Sequence, residues 1–369
     1  MKVSVPHFGY NYVLWKSFFR TLNLEALIPP LTSRRTLDIG IRLCPDMLCT
    51  PCKLILGNYV EALELGAEIL IMLGGHRICR LGYSVNQHAE LLHRQGFEFE
   101  HHVFDIFDAG NELNRIIDAL GSPGTLGKIE MLRLLYAKIE LLDAAEQLVH
   151  HTRPYETVSG STTKTFHECL PIIEETYSRK EVERAREIIQ AKFSQIPVDL
   201  NRPTVHVAIV GDPYTMLEPF FNMGIEEELG QLGAIVHRGF WLSHSTAFDP
   251  IGEILGTKHW HKVQRAADRY VRHDIGAFAR DTVGEAVLFS ERRIDGIVHL
   301  AAFDCTPEII TRNILPQLRE DYHVPILGLS FDEHTGRQGL VSRIEAFIDL
   351  LFSRQRQRST RAGEEANHA

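Results

Sequence analysis

The sequence predicts an α/β protein of two domains, each built on a largely parallel sheet, with a helical connector between them and a candidate site in the cleft where they meet. Three observations carry this. Short apolar runs alternate with amphipathic helical stretches near both ends of the chain, the middle is helical without strand-like runs, and 369 residues are too many for one ordinary core. The boundaries read as 1–110 for the N-terminal α/β domain, 111–202 for the connector, 203–353 for the C-terminal α/β domain and 354–369 for a polar tail expected to be disordered.

In the first domain, strand-like Val3 to Val5 precedes a helix near Leu14 to Leu22. A second helix runs from Pro51 to Leu65, with Leu54, Leu56, Tyr59, Val60 and Leu63 on roughly one side and Gly66 as its stop. Ile69 to Leu73 and Phe97 to Phe104 complete the β-α-β rhythm. From Asn111 to about Gln195 the pattern is helical, broken by the polar segment Thr152 to Thr165. The second domain opens with Val205 to Val210, turns at Gly211-Asp212-Pro213-Tyr214 and continues into a helix around Ile225 to Leu232, stopped by Gly233. Ile294 to Phe303 and Val324 to Leu329 read as buried strands, with a helix after Pro307 between them and a last amphipathic helix near Arg343 to Phe352.

Bulk properties exclude several classes. A hydrophobic content of 44% and a formal charge of −9 describe a soluble globular chain and argue against a general nucleic-acid binder. No apolar run reaches membrane-spanning length, and Met1 to Val5 opens without a signal-like apolar region. The six cysteines are clustered rather than spread in pairs, which fits a reducing compartment, and a cytoplasmic location is expected.

Those cysteines carry the chemistry. Cys49-Thr50-Pro51 and Cys305-Thr306-Pro307 each precede a helix start, with Thr as the expected N-cap and Pro at the first helical position. Each thiol then sits just outside its helix, facing unpaired N–H groups that stabilise a thiolate. Cys79 follows the strand Ile69 to Leu73 through the loop Gly74-Gly75-His76-Arg77-Ile78. Ligands in open parallel sheets bind beyond the carboxyl ends of the strands, so these thiols can converge between the domains and hold an iron–sulfur cluster. Thr50, Thr306, Lys53 and Arg80 would stand beside it and temper its charge. Spacing alone balances this against buried structural thiols. Cys44, Cys49 and Cys52 form C-x4-C-x2-C, which leaves Cys44 and Cys52 open between accessory ligands and packing residues; Cys169 reads as a plain thiol.

Other residues fall beside the same strand ends. Asp332, Glu333 and His334 follow the strand Val324 to Leu329, and Tyr214, Glu218 and Asn222 lie in the corresponding loop, so Glu333, His334 and Tyr214 are candidate proton-transfer groups, or the Asp332–His334 loop orients the domain interface, against a solvated loop with an internal salt bridge. His101-His102, His150-His151 and His259-Trp260-His261 lack helical metal-site spacing and read as surface residues.

The run Cys49-Thr50-Pro51-Cys52-Lys53, then Leu56-Gly57-Asn58-Tyr59-Val60-Glu61-Ala62-Leu63, Gly74-Gly75 and Cys79-Arg80-Leu81-Gly82-Tyr83, resembles the activase-related branch of the 2-hydroxyacyl-CoA dehydratase superfamily. The likeness continues through Gly211-Asp212-Pro213-Tyr214, Phe303-Asp304-Cys305-Thr306-Pro307-Glu308 and Asp332-Glu333-His334-Thr335-Gly336, covering roughly residues 1 to 352. It implies two flavodoxin-like or Rossmann-like domains with a 4Fe-4S cubane between them, held by Cys49, Cys79 and Cys305. It also implies an ATP-hydrolysing activase as electron donor and an acyl-CoA thioester, or another hard-to-reduce small molecule, as acceptor. The chain shows no G-x-x-x-x-G-K phosphate loop and is read as the electron receiver.

In one place the chain departs from that pattern. Relatives often carry Gly-Gly-Cys-Gly-Pro-Cys-Arg, where His76 here replaces the first cysteine; His76 then stands as a nitrogen ligand or a loop imidazole, and a double cluster remains an alternative. The leading expectation is an oxygen-sensitive, anaerobic iron–sulfur component of a dehydratase-like lyase or reductase. The alternatives are a non-catalytic electron relay or scaffold in a hetero-oligomer, beside a sister subunit or as a homodimer, and a zinc-stabilised binding module.

Overall fold

The computed structural model describes residues 1–75, 79–105, 109–121, 123–244, 259–292 and 294–367. In the N-terminal domain, β1 (Lys2–Ser4), α1 (Trp15–Thr21), β2 (Glu25–Ala26), α2 (Arg34–Leu43), α3 (Thr50–Glu64), β3 (Ile69–Gly74), α4 (Arg80–Arg94) and β4 (Glu100–Asp105) follow in order. The connector holds α5 (Ala109–Gly121), α6 (Gly124–Thr152), α7 (Ser161–Glu174) and α8 (Arg179–Ser194). In the C-terminal domain come β5 (Val205–Gly211), α9 (Pro213–Leu217), α10 (Pro219–Asn222), α11 (Ile225–Gln231) and β6 (Ala234–Arg238). They are followed by α12 (His259–Ala267), α13 (Ala279–Glu291), β7 (Gly296–Ala302), α14 (Thr306–Tyr322), β8 (Ile326–Phe331) and α15 (Arg337–Asn367).

Both sheets are four-stranded and parallel, and they share one strand order, β2-β1-β3-β4 and β6-β5-β7-β8. This is the expected pair of α/β domains. In each sheet the order reverses between the first and third strands, which opens a crevice at their carboxyl ends. The registers Val3↔Ile69 and Val207↔Gly296 place the two crevices at equivalent points.

Several elements differ from the sequence reading. β2, α2, β6, α12 and α13 are additional: β2 is two residues long, and α2 alternates polar and apolar residues and holds its start by Ser33 N–H donating to the Thr36 hydroxyl at 3.1 Å. The pattern of α3 suggests an amphipathic helix, yet every residue from Thr50 to Leu63 is buried. Two of its polar side chains are held by neighbouring segments: Asn58 Oδ1 accepts from His7 N–H at 3.0 Å, and Glu61 accepts from the Thr36 hydroxyl at 2.8 Å. The last helix reaches Asn367, so positions 354–367 are helical where composition suggests a disordered tail; residues such as Gln, Arg and Glu propagate a helix without needing burial.

One apolar cluster runs through both domains, joining Leu54, Tyr59, Leu70 and Met72 to Val207, Ile209, Tyr214, Val298 and Leu300. The far face of the first sheet, through Val3, Ile69, Ile71 and Phe104, packs under the connector helices at Ile117, Leu135, Ile139 and Phe166. Cys169 lies in that second cluster as a buried thiol. Among the described residues no helix is long and apolar enough to cross a membrane.

Candidate functional site

Three helices begin at a cysteine. Cys49 caps α3, Cys79 caps α4 and Cys305 caps α14, each with extended backbone angles. The sequence reading puts Thr at the cap of two of these helices; the structure starts them one residue earlier, so the cysteines take the N-cap positions and Thr50-Pro51 and Thr306-Pro307 are the first helical residues. All three thiols therefore face the positive end of a helix dipole.

A cavity of about 90 Å³ is lined by Cys49, Cys79 and Cys305 together with Phe8, Asp212 and Tyr214. Its walls come from the loops that leave β1, β3, β5 and β7, so the crevices of both sheets open onto it. Two backbone positions shape it. At Gly75, φ is +140° and a Cβ would stand 2.1 Å from the Asp105 carboxyl carbon; at Gly211, φ is +151° and a Cβ would stand 2.0 Å from Leu300 O. No side chain fits at either place.

A second, open cleft of about 870 Å³ shares Cys49, Cys79 and Cys305 with the cavity and adds Arg80, Asn86, Thr306 and Tyr83, the last 75% exposed. The thiols thus line both a small apolar chamber and a large open cleft. Among the described residues no group of three or more Cys, His, Asp or Glu is gathered closely enough to hold one metal ion.

The thiols differ in acidity for identifiable reasons. Cys49 and Cys52 are hydrogen-bonded with their sulfurs 3.4 Å apart. The bond from Cys52 favours the Cys49 thiolate and holds Cys49 below the ordinary thiol value, whereas Cys52 is held well above it by the same bond and by burial. Burial raises Cys79 and Cys305, with Asp212 adding to the effect at both. Asp212 is itself pushed up to about 6 by burial and then by Glu308, although its carboxylate accepts from Thr215 N–H at 2.9 Å. Behind Cys305, Glu308 is buried and held by the Thr282 hydroxyl at 2.8 Å and by His299 Nε2 at 2.7 Å.

The remaining sequence candidates are distributed around this centre. Tyr214 lines the cavity; its ring is set edge-on to Phe8 with centroids 5.7 Å apart, and its buried hydroxyl has no hydrogen-bond partner among the described residues. Arg80 and Thr306 line the cleft, with Arg80 also donating to Met47 O at 2.6 Å. Lys53 and Thr50 do not line either space but bond to Glu333, at 2.7 Å and 3.1 Å, so these three join the domains. His334 is exposed beside them, its N–H donating to Asp332 at 2.9 Å. Cys44 is buried in the shared core and pushed up to about 12 by burial, and Cys52 is fully buried behind Cys49. His76 lies outside the described residues.

Sequence reasoning did not single out Phe8, Asp212 or Glu308. Signals for the last two were present, since Asp212 is an N-cap followed by Pro213 and Glu308 is the third residue of a helix that starts Thr306-Pro307. Phe8 carried none, because only the packing of one domain on the other brings it to the cavity.

No curated protein matches the chain. Residues 5–71, running from just after β1 into β3 and including Cys44, Cys49 and Cys52, match the model of a family described as "CoA enzyme activase uncharacterised domain". By that match the N-terminal segment is similar to a CoA-activase-related family, and it carries the first of the three helix-capping thiols.

Proposed function

We propose that this chain is an iron–sulfur protein whose cluster is held by Cys49, Cys79 and Cys305, and that it accepts a low-potential electron from an ATP-dependent activase and delivers it to a small substrate. The observation that carries this reading is that three thiols, from three helix starts in two domains, line one cavity. Three helix dipoles directed at one point stabilise negative charge there, which thiolates and a cluster both require. When bound, a cluster of this kind supplies single electrons at low potential.

The chain's own residues supply the rest. Phe8, Leu73, Phe104 and Phe278 keep water from the inner cavity. Tyr214, whose hydroxyl is held far above its ordinary value by burial, stays neutral and donates a hydrogen bond to an acceptor oxygen on the substrate. The cavity is smaller than the ~150 Å³ that accepts benzene, so only the reacting end of a substrate enters, and the body of an acyl-CoA lies in the outer cleft with Arg80. A chamber beside the thiols supports a catalytic component over a simple relay.

Anaerobic purification with iron and acid-labile sulfide analysis tests the assignment. Cys49→Ser, Cys79→Ser and Cys305→Ser are each expected to lose most of the cluster, and a full iron complement in all three sinks it. Addition of ATP and a candidate activase should then change the EPR spectrum of the wild-type protein.

A further inference from the structure

Cys49-Thr50-Pro51-Cys52 is a C-x-x-C unit at the amino end of α3, with Cys49 as the cap and Cys52 one turn later. Its sulfurs stand 3.4 Å apart, and Cys52 N–H donates to Cys49 O at 3.0 Å, which fixes the turn between them. Among the described residues no other pair of thiols is hydrogen-bonded. A disulfide needs its sulfurs at about 2.05 Å and its Cα atoms at roughly 4.4–6.8 Å, a span that residues three apart on one helical turn satisfy. Closing the bond brings the two sulfurs from 3.4 Å to about 2.05 Å.

The two sulfurs also differ in access. Cys49 is only 7% exposed but lines both the cavity and the open cleft, whereas Cys52 is 0% exposed and lines neither. An incoming reagent meets Cys49 first, and Cys52 is placed to attack what Cys49 has bound.

We propose that Cys49 and Cys52 form a thiol–disulfide exchange site, open to a disulfide-bearing oxidant through the outer cleft. The Cys49 sulfur attacks the incoming disulfide, forming a mixed disulfide and releasing one thiol. Cys52 then displaces the second thiol and closes the Cys49–Cys52 bond. In total two protein thiols lose two electrons and two protons, and the oxidant leaves as two thiols. A sulfur bound in a disulfide has no thiolate charge to offer a metal. Where the cluster reading above holds, Cys49 is thus either bridged or ligating, and the redox state of this pair decides whether a cluster can be assembled.

The full-length, iron-free protein tests this in glutathione buffers from fully reduced to fully oxidised, with acid quenching, alkylation of all remaining thiols and mass spectrometry. Cys44, Cys49 and Cys52 lie in one tryptic peptide, 43–53. The expected product is that peptide lighter by two hydrogens, with alkylation retained on Cys44. Cys52→Ser should instead trap a glutathione adduct on Cys49, and because the wild-type measurement stands by itself, misfolding of that variant does not remove the test. Retention of alkylation on both Cys49 and Cys52 in excess glutathione disulfide, or a bridge that uses Cys44, overturns the assignment. Iron uptake is then compared: oxidised protein should load at least tenfold less iron than reduced protein. Equal loading overturns the mutual exclusion, whereas no loading in the reduced state overturns the cluster reading and leaves the dithiol site standing.

Discussion

Lys53 Nζ in the N-terminal domain lies 2.7 Å from Glu333 Oε1 in the C-terminal domain, and the lysine side chain is only 3% exposed. This pair, with the Thr50 hydroxyl 3.1 Å from the other Glu333 oxygen, fastens the start of α3 to the loop after β8. Burial acts to raise the Glu333 carboxyl, but the Lys53 and Thr50 bonds outweigh it and hold it below the ordinary value. Because α3 also carries Cys49, the clamp sets the spacing of the thiols contributed by the two domains. Glu333→Ala leaves a buried ammonium without its partner and is expected to cost about 3 kcal/mol. Lys53→Met, which removes the charge and keeps the volume, should cost less in the same urea-denaturation series.

A second clamp joins the connector to the C-terminal sheet. Arg238 is buried at the end of β6, paired with Glu146 of α6 and, at 3.4 Å, with Glu226, and its guanidinium lies 4.0 Å from the centre of the Trp241 ring. Arg238→Ala would leave buried Glu146 without its guanidinium and Glu226 with only His150, and a loss of about 3–5 kcal/mol is expected in chemical unfolding. Wild-type stability in that variant would show that the network is not held in solution.

Glu218 predicts a pH dependence. It is buried between the domains, accepting from Gly9 N–H at 3.2 Å, and burial pushes it up to about 7. Between its ordinary value and about 7 the folded chain keeps a proton that the unfolded chain has released, so this group's contribution falls as pH rises through that interval. Asp143 and Asp212, both raised to about 6 by burial, act in the same direction. Glu226 acts oppositely: burial would raise it, but His150 and Arg238 hold it at about 2, and its contribution is lost only in stronger acid. The melting temperature of wild type relative to Glu218→Gln should decline between pH 4.5 and 7, by an amount equivalent to roughly 3 kcal/mol. A difference that stays constant across that range would contradict the burial argument.

Tyr214→Phe separates ligand binding from folding. The hydroxyl has no partner among the described residues, and burying a polar group without one is unfavourable, so its removal should leave the melting temperature unchanged or slightly higher. Substrate turnover should nonetheless fall by at least tenfold if the hydroxyl donates to the substrate. A large loss of stability would instead assign Tyr214 a structural partner.

The cysteine caps show how far local sequence reaches. Cys-Thr-Pro before an apolar-periodic run announces a helix start, because Thr and Pro each suit the first positions of a helix, and both such tripeptides lie at one in the structure. The strands at 69–74, 205–211 and 296–302 were legible for a similar reason, since strands buried on both faces are continuously apolar. The two-residue β2 and the alternating α2 were not, because their conformation is imposed by the neighbours they pair with or pack on.

By itself the sequence determined the two α/β units, the helical span between them and the three thiols at helix starts, since propensity, capping and periodicity act over a few residues. Only the tertiary structure decided that α3 is buried all round, that Lys53 and Thr50 belong to Glu333, and that Phe8 and Tyr214 meet across one chamber. Those relationships join residues tens to hundreds of positions apart. They arise from the packing of one sheet's crevice against the other's, which no local pattern encodes.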